Sequence, residues 1–181
     1  MLLSKKHTLQ KKLLPLISFF ILIGCLSPFI SFGQENSLYP SLIPGLKAPV
    51  IKAKNADGKV FRLSKVKSRY TLLYFYEVHC HLCAVVTPEL KKLYDSYHKI
   101  GLEIVAVPVE ADRDEWKKYV SDEQLNWLNV FPDSGQLDKL RSDYKLTVSP
   151  TMYLLDRKKI ILTQRLGRIE HLESELNMRI R

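Results

Sequence analysis

Cys80-His81-Leu82-Cys83 sets two thiols two residues apart, directly after an apolar stretch from Tyr70 to Val78 and at the head of an amphipathic one. If the amphipathic stretch is a helix, its first turn carries backbone N–H groups without partners, and these favour a thiolate over a thiol. Two cysteines so placed can close a small disulfide ring, and the chemistry they suit is thiol-disulfide exchange. A structural staple is the alternative. A bridge across four residues closes too short a loop to restrict the unfolded chain much, so a redox pair is the stronger reading.

His79 and His81 flank Cys80, and either ring, once protonated, would favour its thiolate. His81 lies inside the motif and is the better candidate for tuning redox poise; the bland reading makes both of them loop histidines. These two rings and the two sulfurs also raise a second class of function, a binding module for copper or another metal cargo. Four ligands crowded into five residues cannot all converge on one tetrahedral ion, so no metal and no other cofactor is expected. Glu77 closes the apolar stretch and reads as a solvated strand end rather than a proton carrier. Trp116, Trp127 and the tyrosines read as core, not as a ligand platform.

Those residues need elements to hold them. Tyr70 to Glu77 is a continuous apolar and aromatic run, the pattern of a strand buried on both faces of a sheet. Leu82 to Ile100 has helical spacing, with Leu90, Leu93 and Tyr97 on one stripe, and Pro88 should interrupt and kink it. Gly101 ends that helix, and Glu103 to Val109 is a second strand, giving a right-handed β-α-β unit with parallel strands. Ahead of it, Val50 to Ala53 and Val60 to Arg62 suggest a hairpin around Asp57-Gly58. Behind it, Asp112 can cap a helix carrying Trp116, Tyr119 and Val120. Asp133 or Ser134 can cap another carrying Leu137, Leu140 and Tyr144. Thr151 to Leu155 and Ile160 to Arg165 read as an antiparallel pair, and Ile169 to Ile180 as a closing helix.

The chain has 181 residues, 46% of them hydrophobic, enough for one ordinary globular core. Its formal charge of +9 is inflated by Lys5, Lys6, Lys11 and Lys12: removing these from the 28 Lys and Arg leaves 24 against 19 Asp and Glu, a balance of +5. The remaining basic residues, such as Lys91-Lys92 and Lys117-Lys118, are interspersed on helices without an aromatic stripe, which argues against nucleic-acid binding. Leu13 to Gln34 contains no charged residue and follows those four lysines, the layout of an export signal. Its end has three readings. Ser31-Phe32-Gly33 suits cleavage before Gln34; Leu22-Ile23-Gly24-Cys25 suits lipidation at Cys25; and the whole stretch is about long enough, near 20 residues, to stay as a membrane anchor. Each places the domain outside the cytoplasm, in the periplasm or cell envelope. The organisation expected is a signal or anchor over 1–33, a linker over 34–45 and one domain over 46–181, the last holding Cys80 and Cys83 alone.

The order of these elements, with CxxC after the first buried strand and Ser149-Pro150-Thr151 before a later one, resembles the thioredoxin fold. Gly45-Leu46-Lys47-Ala48-Pro49, Asp57-Gly58-Lys59, Pro88 five residues after Cys83, and Pro150-Thr151 leading into Leu154-Leu155-Asp156 look like the exported TlpA/ResA-like thiol-disulfide oxidoreductases. The extra helical stretch from Asp112 to Gln124 resembles this group more than a minimal thioredoxin. The resemblance implies an α/β fold, a three-layer α/β/α sandwich with a central mixed sheet and an N-terminal β-hairpin extension. It implies Cys80 as the exposed nucleophile, Cys83 as the buried resolving thiol and the two as a redox disulfide. It further implies a cis Pro150 facing them and a Ser149 backbone that pairs with a substrate segment. The partners implied are cysteine-containing envelope proteins and a membrane or periplasmic redox partner. Two positions depart from the pattern: His79 stands where relatives have an aromatic residue, and Val86 where they have a glutamate.

Overall fold

The computed structural model describes residues 42–110, 112–133, 135–166, 169 and 172–180. The expected leader over 1–33, Cys25 included, lies outside them, as do Ser134 and residues 34–41 of the expected linker. Strands β1 (Ala53–Asn55), β2 (Val60–Phe61) and β3 (Tyr70–Glu77) precede helix α1 (His81–Tyr97), and β4 (Leu102–Glu110) precedes α2 (Arg113–Asp122). Then come β5 (Leu128–Pro132), α3 (Leu137–Asp143), β6 (Thr151–Leu155), β7 (Ile161–Leu166) and α4 (Leu172–Ile180). Seven strands form one sheet in the order β2-β1-β5-β4-β3-β6-β7. The central pairs β3–β4 and β4–β5 are parallel, whereas β6, β7 and the β1–β2 hairpin join antiparallel.

Alternation along β3 divides the core into two layers. Leu72, Tyr74 and Tyr76 face α1, α2 and α4, whose Leu90, Trp116 and Leu176 are fully buried; Leu73 and Phe75 face the other side, with Leu140 of α3 and Tyr144. Helices on both faces are what a parallel centre requires, and they explain why β3 and β4 read as unbroken apolar runs.

Helix α1 forms because Cys83, Val86, Thr87, Leu90, Leu93, Tyr94 and Tyr97 recur at three- and four-residue intervals and are all buried. It runs unbroken through Pro88, against the expected interruption. The proline costs the Ala84 carbonyl its helical donor, but Ala84 and Pro88 are both exposed, where solvent can satisfy that carbonyl. A 3-10 turn, His98–Ile100, finishes the segment, and Gly101 reverses the chain at φ 115°. Asp112 caps α2 as expected, its carboxylate accepting from the N–H groups of Asp114 and Glu115 at 2.9 and 2.7 Å. Asp133, expected at the head of α3, does not cap it. Gln136 occupies that position without a side-chain bond, because the turn through Gly135, at φ 74°, delays the helix; Asp133 contributes only its carbonyl, to the Gln136 N–H.

Strand β5 is an element the sequence pattern does not announce. It pairs with β4 over only Val105↔Leu128 and Ala106↔Asn129, and its other edge carries the hairpin through β1. Gly45, the last residue of the expected linker, already bonds to the Ile161 carbonyl at 2.8 Å. Among the described residues, no helix is long and apolar enough to cross a membrane.

Candidate active site

Strand β3 ends at Glu77, and two residues later the chain turns into α1 with Cys80 at the N-cap. Its extended backbone, φ −75° and ψ 118°, lets the sulfur fold back over the first turn, where it accepts the Cys83 N–H at 3.2 Å. A sulfur thus occupies the place usually taken by a serine or aspartate oxygen. Cys80 is half-buried. Cys83, one turn in, is only 1% exposed, and both thiols are free.

That difference in burial separates the two sulfurs chemically. Burial pushes the Cys83 thiol up to about 12 from an ordinary 9.0, with the hydrogen bond and charge of Cys80 adding to the rise. A backbone bond at Glu77 and the Tyr74 hydroxyl pull the other way.

The loop before β6 closes the site from the opposite side. The Ser149–Pro150 peptide bond is cis, and the Ser149 carbonyl lies 3.5 Å from the Cys80 sulfur, which donates to it. Register explains the approach: β3 and β6 are antiparallel neighbours with Phe75 opposite Thr151, so the chain just before Thr151 lies beside the residues just after Phe75. Glu77 is not the solvated strand end expected of it. It is half-buried and accepts a 2.8 Å hydrogen bond from the Ser149 hydroxyl, fastening the proline loop to the end of β3. The Thr151 hydroxyl, donating to the Val148 carbonyl at 2.7 Å, braces the same loop from within.

His79 and His81 are both exposed. His79 pairs through Nε2 with Oε1 of Glu115, a residue of the first turn of α2, so the helix between β4 and β5 reaches the rim of the site. His81 is the first residue of α1. No group of three or more Cys, His, Asp or Glu side chains among the described residues could hold a metal ion. Trp116 and Trp127 are core, as expected.

Beneath Cys83 lies a group of hydroxyls, two of them on tyrosines that the sequence pattern marks only as core. The Tyr74 hydroxyl is 3.0 Å from that of Thr87 and 3.5 Å from the Cys83 carbonyl; Thr87 in turn is 3.3 Å from the Tyr119 hydroxyl. Tyr76 stacks on Tyr74 with ring centres 5.1 Å apart and packs against Tyr119. Two periodicities could have exposed this group. Tyr74 and Tyr76 share a strand face, and Thr87 follows Cys83 by one helical turn.

A pair of thiols at a helix start, one shielded and one at the surface, opposite a cis-proline at the entry to a strand, defines a dithiol site on a thioredoxin-type scaffold. The family described as thioredoxin-like matches residues 68–161, and the chain belongs to that family. It is 28% identical to the thiol-disulfide oxidoreductase ResA of Bacillus thuringiensis (strain Al Hakam) over 123 residues, 68% of this chain and 69% of that one. Among solved structures, the thioredoxin domain of a thiol-disulfide oxidoreductase from Bacteroides vulgatus is similar with a TM-score of 0.72 at 25% identity, over 78% of this chain and all of that one. A domain of a possible thiol-disulfide isomerase from Cytophaga hutchinsonii gives 0.70 at 28% identity, over 77% and 95%.

Proposed function

We propose that this protein is an exported thiol-disulfide oxidoreductase that exchanges disulfides with cysteines of other envelope proteins through Cys80 and Cys83. The observation that carries the reading is the position of the Cys80 sulfur, which takes the Cys83 N–H on one side and faces the Ser149 carbonyl beside cis-Pro150 on the other. The names of the relatives support the same chemistry.

In the reducing direction, the Cys80 thiolate attacks one sulfur of a partner disulfide. That S–S bond breaks, the departing partner thiolate takes a proton, and a mixed disulfide is left on Cys80. Cys83, as thiolate, then attacks the Cys80 sulfur, forming the Cys80–Cys83 bond and releasing the second partner thiolate. Two electrons pass from the dithiol to the partner. Oxidation of a partner dithiol is the reverse sequence, and either direction requires a second redox partner at the membrane or in the periplasm to restore the pair.

In this reading Ser149 and Pro150 hold the incoming segment against Cys80, and His79 and His81 adjust its reactivity. The lysine-flanked, charge-free stretch before Glu35 supports export, with attachment through that stretch or through a lipidated Cys25. The test is turnover of a model disulfide by the reduced full chain. Cys80→Ser should abolish it, and Cys83→Ser should accumulate a mixed disulfide visible by mass; equal, mild losses in the two variants would overturn the assigned roles.

A further inference from the structure

The resolving step has a difficulty that the two cysteines do not solve. Cys83 must lose its proton before it can attack, yet it is buried, and position 86, one turn further along α1, is a buried valine. The half-buried carboxylate of Glu77 is held by the Ser149 hydroxyl. What does stand against Cys83 is the hydroxyl of Tyr74, 3.5 Å from the Cys83 carbonyl and first in the series that continues through Thr87 to half-buried Tyr119.

Resting on the thiol-disulfide reading above, we propose that Tyr74, Thr87 and Tyr119 form a hydroxyl chain that carries the Cys83 proton to the surface and leaves the thiolate hydrogen-bonded, in the role a carboxylate would otherwise fill. Before the step, the Cys83 S–H points at the Tyr74 oxygen, Tyr74 donates to Thr87, Thr87 to Tyr119 and Tyr119 to water. One concerted shift moves each proton one place outward. The S–H bond breaks, water or a buffer base gains a proton, and every hydroxyl oxygen keeps one proton with its direction reversed. Tyr74 then donates to the new thiolate and Thr87 to Tyr74. No electron moves until the thiolate attacks Cys80.

The distances suit this. The Tyr74–Thr87 pair at 3.0 Å is at an ordinary O–H···O distance and the Thr87–Tyr119 pair at 3.3 Å is a longer one, and each oxygen can donate or accept. Burial holds Tyr74 far above the ordinary phenol range, so it stays a donor and never competes as an anion. Its hydrogen bond lowers the Cys83 pKa. The other titratable groups facing Cys83 are Cys80 from the loop, Tyr76 from β3 and Tyr119 from α2. At the outer end, Glu123 acts on Tyr119 and is itself paired with Lys91 at 3.1 Å.

The experiment is the reaction of the reduced full chain carrying Cys25→Ser, so that Cys80 and Cys83 are its two thiols, with the aromatic disulfide dithiobis(nitrobenzoate). The first equivalent of thionitrobenzoate reports attack by Cys80, and the second reports attack by Cys83. Tyr74→Phe should leave the first phase unchanged, slow the second about tenfold, as expected for a lost hydrogen bond to a charged group, and move its pH midpoint upward. Thr87→Val and Tyr119→Phe should do the same to a smaller degree, and they decide the matter if Tyr74→Phe does not fold. Tyr97→Phe, a buried tyrosine of α1 outside the chain, should leave both phases as they are. Hydroxyl-chain variants with a second phase of wild-type rate and pH midpoint would overturn the inference, as would an equal slowing in Tyr97→Phe. Failure of the wild type to release a second equivalent would instead overturn the oxidoreductase reading itself.

Discussion

The main-chain N–H of Cys83 donates to the sulfur of Cys80 across 3.2 Å, so the buried cysteine supports its partner through its backbone while its own sulfur stays shielded. Unequal reactivity follows. A thiol with a pKa of about 12 is only ~10⁻⁵ ionised at neutral pH, and Cys83 also lacks surface. Iodoacetamide at neutral pH should therefore modify Cys80 and spare Cys83 in the reduced, folded chain, read by peptide mass across the two positions. Comparable labelling of Cys83 would contradict the ordering of the two thiols.

The hydrogen bond from Ser149 to Glu77 ties the cis-proline loop to the strand that delivers Cys80. Its acceptor is a carboxylate and it is partly shielded, so removing the donor should cost about 1–2 kcal/mol. Ser149→Ala is expected to lower the melting temperature by a few degrees and to slow the first phase of a disulfide reaction, because the loop facing Cys80 is no longer fixed. Glu77→Gln keeps an acceptor and should lose less on both measures. Identical behaviour of the two variants and wild type would remove Glu77 from any positioning role.

Alkaline stability should carry the signature of Cys83. Its pKa in the fold, about 12, lies above the ordinary 9.0, so folding favours the neutral thiol. That contribution is complete below pH 9 and is lost as pH rises from there through 12, because the unfolded chain releases its proton first. Tyr153 is also raised, from 10.0 to about 12, and adds to the loss at higher pH. In thermal melts of the reduced protein between pH 8.5 and 10, a window bracketing the ordinary thiol value, the wild type should lose stability more steeply than Cys83→Ala. Parallel slopes would place Cys83 in a less shielded setting.

The elements that carry the thiols were the legible part of the sequence. Tyr70 to Glu77 is buried on both faces and α1 on one, and both leave unambiguous patterns: a continuous apolar run, and a stripe from Cys83 to Tyr97. Strand β5 left none. Leu-Asn-Val-Phe-Pro contains a proline and begins with an exposed leucine, and it is a strand because β4 and β1 offer it two edges. Pro88 misled in the opposite direction, since its effect depends on whether the orphaned carbonyl meets solvent. The chemistry of Tyr74 was hidden for a third reason. A tyrosine in a buried strand has the pattern of any core aromatic, and only the register of β3 against α1 gives its hydroxyl Thr87 and Cys83 as neighbours.

Gly101 holds the crossover from α1 into β4, and it is the position where a single methyl group should do the most harm to the frame of the site. Its φ of 115° lies in the left-handed region, and an added Cβ would stand 2.9 Å from the Cβ of Arg69. The Arg69 side chain cannot simply swing aside, because the clash is at its root rather than its tip. Its guanidinium is also bonded to the carbonyls of Arg179 and Ile180 at the end of α4. The Gly101 carbonyl accepts the Tyr70 N–H at 2.9 Å, which sets the start of β3 against β4. Gly101→Ala therefore combines backbone strain with a steric clash at a sheet junction and should destabilise the domain by about 2–4 kcal/mol. Chemical denaturation should show a lower midpoint with little change in slope. The reaction of Cys80 should persist below the transition, since the residues around its sulfur lie at the other end of β3. A midpoint within experimental error of wild type would mean that the Tyr70–Gly101 junction yields more readily than its geometry implies.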